Sequence, residues 1–148
     1  MARFTKKIRL TLILAAFLYA VSVPVRAVPY VEQGDIESYA KLREVERYQI
    51  KIAQKFYQAA DYKAAGAEFE KFLTLYERST GGPYALMMWA HCQIHLRLVN
   101  TAIRDGFQSV IDYWPDSHEA IVSSFMIGRC LRLTGEVNKA QKTFRKVI

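Results

Sequence analysis

One pattern returns three times along this chain, at a spacing of 37 to 38 residues. Its copies are Ala65-x3-Phe69-Glu-Lys-Phe-Leu73, Ile103-x3-Phe107-Gln-Ser-Val-Ile111 and Ala140-x3-Phe144-Arg-Lys-Val-Ile148. A second ladder precedes it in each copy: Ala53, Ala90 and Gly128, spaced by 37 and then 38. A period of this size in two registers marks an architecture of stacked units. Each unit is too small to bury its own apolar face, so neighbours bury it for one another. The question for such a chain is which partner lies along the stack, before it is which residues catalyse.

The first 27 residues read as a separate object. Arg3, Lys6, Lys7 and Arg9 form a basic start, Leu10 to Val23 is an apolar run without charge, and Pro24 breaks it ahead of Val25-Arg26-Ala27. This is the layout of a secretory signal peptide. The run is shorter than the roughly 18 residues that a membrane-spanning helix needs, so residues 1–27 are expected to be cleaved, with an uncleaved anchor as the alternative. On this reading the chain is exported, to the periplasm or envelope of a bacterium, and meets the membrane only through that segment if it is kept. No cysteine follows the run to carry a lipid.

Export also revises the charge. The chain has 21 Lys and Arg against 14 Asp and Glu, but five of the basic residues and none of the acids lie in residues 1–27. The remainder carries +2 from 16 basic and 14 acidic residues. Nucleic-acid binding, which calls for a basic face on the folded part, is not expected.

Residues 28–45 form a leader and the start of the first helix. Asp35 is a suitable N-cap, and the helix that it starts is expected to run from Ile36 to Ala60. Asp61 caps a second helix to about Tyr76, and Pro83 begins a third that ends at Leu98. Asn100 caps a fourth to Tyr113, Ser117 a fifth to Leu133, and a sixth begins near Glu136. No strand with period-two alternation appears, so the fold is all-α: an α-solenoid of about three antiparallel helix pairs, at about 46–79, 83–117 and 118–148. Phe144, Val147 and Ile148 stand on an apolar stripe expected to meet a following element, so the last unit reads as truncated.

Several residues invite a chemical reading. His91 and His95, four apart beside Cys92, could both reach one metal ion, but zinc takes three or four protein ligands and no further donor shares that helix. No metal and no cofactor is expected. Cys92 and Cys130 occupy matched places, each two residues after Ala90 and Gly128. Matched sites on stacked helices lie about 8–10 Å apart, beyond the about 7 Å that a disulfide spans, so two free, buried thiols are expected. A Cys92–His95 nucleophilic pair would need an activated thiolate, and nothing nearby is cationic except His95 itself. Asp112, Asp116 and Glu119 cluster near one turn, but they read more simply as acids at helix ends than as the facing carboxylates of a glycosidase. No enzyme is expected.

With the helix pairs placed, the residues resemble the tetratricopeptide repeat. That family's pattern is a small residue then an aromatic in the first helix and Ala-x3-Phe in the second. The first unit shows Ala53-x2-Phe56, Asp61-Tyr62, Ala65 and Phe69; the third shows Gly128-x2-Leu131, Gly135, Ala140 and Phe144. The middle unit departs, with Gln93 for the aromatic, Val99-Asn100 for the usual Gly-Asp and Ile103 for the alanine. The Tyr-Trp-Pro-Asp-Ser ending and the long period are similar to exported bacterial repeats, those of Tol-Pal-associated and outer-membrane assembly proteins.

The resemblance implies a right-handed superhelix that binds a protein or peptide along a concave groove lined by the first helices. Matching positions gives Arg47, Ile50, Gln54, Tyr57 and Gln58 from the first unit, Tyr84, Met87, His91, Ile94 and His95 from the second, and Val122, Phe125, Arg129, Arg132 and Leu133 from the third. Independently, Arg129 and Arg132 share a helix face and suit a carboxylate, while Tyr57, Tyr84 and Phe125 are of the type found at interface anchors. The expectation is a non-catalytic exported scaffold for a protein or peptide partner, in cell-envelope assembly. The alternative is the targeting arm of a larger envelope enzyme whose catalytic domain lies beyond residue 148.

Overall fold

The structure is a computed structural model that describes residues 30–147; the signal-like segment and Ile148 lie outside the described residues. A 3-10 turn at Tyr30–Glu32 precedes seven helices: α1 (Ile36–Ala40), α2 (Glu44–Gln58), α3 (Tyr62–Leu75), α4 (Gly82–His95), α5, α6 (His118–Leu133) and α7 (Val137–Val147). Helix α5 is built of three contiguous pieces, Val99–Thr101, a π-helical Ala102–Phe107, and Gln108–Tyr113. Each helix from α2 on packs against the next, and α4 also packs against α6. The fold is all-α, a tetratricopeptide-like stack of the pairs α2–α3, α4–α5 and α6–α7. Among the described residues no helix is long and apolar enough to cross a membrane.

Caps explain most of the boundaries. The Ala64 N–H donates to Asp61 Oδ1 at 3.1 Å, the Ala120 N–H to Ser117 Oγ at 3.1 Å, and Pro83 stands in the first turn of α4. The expected single helix from Ile36 to Ala60 is instead two. Asp35 caps only the five-residue α1, accepting from the Ser38 N–H at 2.9 Å. The chain then turns to bury Leu42 at 4% exposure and restarts at Glu44. The restart is fixed by Glu46, which accepts from the Arg43 backbone N–H at 2.7 Å and from its guanidinium at 3.0 Å. Asn100 is not a cap, since α5 already begins at Val99.

The three turns inside the pairs are copies of one another. Ala60, Arg97 and Gly135 all have positive φ, at 60°, 67° and 85°. In each the following N–H bonds back five residues: Asp61 to the Phe56 carbonyl, Leu98 to Gln93 and Glu136 to Leu131. This is a Schellman close, whose left-handed residue favours glycine. The middle turn is therefore Arg97-Leu98, two residues before the Val99-Asn100 that the sequence suggested.

The core runs through the stack as Ile50, Ala53, Ala65, Phe69, Phe72, Met87, Ala90, Ala102, Phe107 and Val110, all without exposed surface. Both cysteines are free and buried, and burial pushes the Cys92 thiol up to about 12. The small-residue ladder sits where the two helices of a pair touch. A Cβ on Gly106 would collide with the Ala90 Cβ, and one on Gly128 with the Phe144 ring. Phe144 thus packs onto α6, with its ring 5.6 Å from that of Phe125.

The π segment resolves the uneven period. Units one and three match at a constant spacing of 75: Ala53 with Gly128, Ala60 with Gly135, Ala65 with Ala140, Phe69 with Phe144. The middle unit follows the first at 37 up to Ala102 and at 38 from Phe107. One extra residue therefore lies between these two, within the wider π turn, as such bulges accommodate. The fully buried Ala102, not the half-buried Ile103, is the counterpart of Ala65.

Candidate functional site

The first helices of the three units, α2, α4 and α6, share a face, and a stretch of the chain's own backbone already lies across it. The leader from Val31 to Asp35 touches all three. On α2, the Glu32 carboxylate lies beside Tyr57, whose hydroxyl pKa is raised first by burial and then by that neighbouring charge. On α4, His91 Nε2 lies 3.1 Å from the Val31 carbonyl oxygen. A carbonyl can only accept, so Nε2 carries the proton. Farther along α4, Gly34 lies flat on the Tyr84 ring, where a Cβ would sit 2.5 Å from Cδ2. On α6, Glu119 Oε1 accepts from the Asp35 backbone N–H at 2.9 Å. In the turn before α4, Thr80 Oγ1 donates to the Ser38 carbonyl at 3.2 Å.

The positions implied by the family resemblance distribute as follows. Gln54 donates to the Tyr84 hydroxyl at 2.8 Å, linking α2 to α4. Tyr84 is 9% exposed and burial pushes its hydroxyl up to about 12. His91 is buried beneath the leader, edge-on to Phe107, and burial lowers its pKa to about 4. Met87 is wholly enclosed and belongs to the core, so it presents nothing to a partner here. Ile50 is likewise core and Val122 is buried, while Ile94 is half-buried. Arg47 is half-buried and Gln58 exposed.

His95 does not join His91. Its ring stacks on Tyr62 at 3.9 Å with 4° between planes, and its Nε2 lies 3.3 Å from the Tyr57 hydroxyl. The two histidines thus serve different neighbourhoods. On α6, Phe125 and Leu133 are exposed at 39% and 71%, and Arg129 and Arg132 are exposed beside them. Arg129 makes one internal contact, from Nη1 to Met126 Sδ at 3.7 Å.

Glu119 is the residue whose role differs most from expectation. It stands in the first turn of α6, as a helix-end acid should, yet it is only 3% exposed and is spent on the leader's backbone. Asp112 instead accepts from Gln108 on its own helix at 2.9 Å. Between the leader and the stack remains a cleft of about 470 Å³, bounded by Tyr39, Leu42, Ile50, Gln54, Tyr84 and Glu119. It is mostly apolar with a few polar groups at its edge, the usual make-up of a binding cleft.

The family model of the tetratricopeptide repeat matches residues 123–148, most of α6 together with α7. That stretch is therefore similar to a repeat whose units generally mediate contacts between proteins. No match was found among curated proteins, and none among solved structures.

Proposed function

We propose that this chain is a non-catalytic, exported scaffold that holds a protein or peptide partner along the face of its first helices, in the service of cell-envelope assembly. The observation that carries the reading is the leader itself. Five consecutive residues cross α2, α4 and α6 and are held through a carbonyl on His91 and an amide on Glu119. A face that accepts one stretch of main chain has the chemistry to accept another. Export is supported by the basic start and apolar run of residues 1–27. The envelope setting rests on the resemblance to exported bacterial repeats. Arg129 and Arg132 would give the third unit a fork for an acidic group.

The test is position-specific crosslinking in intact cells. A photoreactive residue replaces Phe125 or Leu133 on the first-helix face, or Tyr113 on α5, which is 73% exposed. The expected result is one discrete adduct from Phe125 and Leu133, recovered with the envelope, and none from Tyr113. Changing Arg129 and Arg132 to Ala should cut its yield at least fivefold while leaving helix content unchanged. Equal adducts from Tyr113 would remove the assignment of the face, and an adduct confined to the cytoplasm would remove export.

A further inference from the structure

We propose that Val31–Asp35 is a resident ligand in cis: it occupies the first-helix face as a partner would, and the partner gains the face only when this leader lifts away. The inference rests on the reading above only in calling the face a binding surface; the occupation itself is independent of it.

Three observations carry it. First, the leader's contacts are those of a bound peptide. A carbonyl, an amide, a flat glycine and one acid each meet a different side chain, spread over three helices that belong to three units. The helix pairs bury most of their apolar faces against one another, and of residues 31–35 only Val31 packs, half-buried, against that core. Second, the leader is thinly held. Helix α1 beyond it contributes no buried residue, and Ile36 is 84% exposed. The leader also underfills its site, since the 470 Å³ cleft stays open between Tyr39 on one side and Ile50 and Tyr84 on the other. Segments with few buried apolar contacts open locally at little cost. Third, what the leader covers is what the face would use. Tyr57, Tyr84 and His91 lie under or against residues 31–35.

The geometry also specifies the partner's chemistry. It is a short segment in which a glycine follows an acid by two residues, as Gly34 follows Glu32. A side chain at the glycine position would strike the Tyr84 ring.

Gly34→Val in the full chain tests the proposal, because it adds bulk only at the leader's contact with Tyr84. Hydroxyl-radical labelling of Tyr84 and amide exchange at Asp35 are read by mass spectrometry, with circular dichroism as a check on the stack. The expected outcome is at least fivefold more labelling of Tyr84 and loss of protection at Asp35, with helix content and Tm nearly unchanged. Glu119→Ala, which loosens the leader from the opposite side, should move both readouts in the same direction. Two results overturn the idea: Tyr84 staying protected in both variants, or the helices unfolding once the leader is displaced, which would make it part of the core. No partner enters this experiment, so its failure leaves the crosslinking result standing, and the reverse.

Discussion

The stack and the leader that crosses it are held by opposite means. The stack is held by shape: Gly106 against Ala90, Gly128 beneath Phe144, and phenylalanines with no exposed surface at Phe69, Phe72 and Phe107. The leader is held mainly by polar contacts, two of them through its backbone atoms at Val31 and Asp35, with Val31 alone packed against the core, over a cleft that it does not fill. Close-packed apolar contact is intolerant of added volume, whereas a net hydrogen bond is worth only about 1 kcal/mol. The difference teaches that one chain can carry a rigid surface and a weakly attached cover for it. Perturbations should sort accordingly.

The largest effect is expected in the stack. Gly106→Ala places a methyl against the Ala90 Cβ and 3.2 Å from its Cα, which is backbone and cannot rotate aside. It should cost about 3 kcal/mol in denaturant unfolding, at the upper end for overpacking. A loss no larger than that of an exposed Ala67→Gly control would show that α4 and α5 are not in shape-limited contact.

Acidification should act next, and on the boundary between the two regions. His91 is lowered to about 4 from 6.5 by burial, opposed by the Val31 carbonyl and reinforced by the charges of His95 and Arg129. Between those values the unfolded chain binds more protons than the folded one. Stability is therefore whole above about pH 6.5 and falls as pH drops toward 4. The loss should reach about 2 kcal/mol at pH 5, the linkage value for a shift of this size. In Gly34→Val, where water reaches the ring, it should shrink to a fraction of that. Equal losses in both chains would mean that the core and not the leader buries His91.

The smallest effect is a gain. Ala60 and Arg97 hold left-handed conformations that Gly135 holds without strain. Ala60→Gly and Arg97→Gly should each stabilise the stack by about 0.5–1 kcal/mol, read as a rise in Tm, and neither should alter labelling of Tyr84.

The sequence made the stack legible and left the cover unseen, for a physical reason. Phe69, Phe107 and Phe144 announce the core because burial selects side chains, and side chains are what a sequence spells out. Asp61, Ser117 and Pro83 announce helix starts for the same reason. The leader is held by the Val31 carbonyl and the Asp35 amide, which every residue but proline possesses, so its letters give no sign of where it docks. Glu119 was visible as a helix-start acid, but its partner lies 84 positions away. The left-handed turns at Ala60 and Arg97 were hidden because neither is glycine. Had they been read, the ladder Ala60, Arg97, Gly135 would have placed the middle turn correctly.

The π segment at Ala102–Phe107 separates two things usually counted together. The length of chain allotted to a unit and the space that unit occupies in the stack are set independently. One more residue is taken up inside a single widened turn, and Phe107 and Val110 still arrive at the core. In this architecture the length of a repeat belongs to the history of its chain, while the seat each repeat takes belongs to its neighbours.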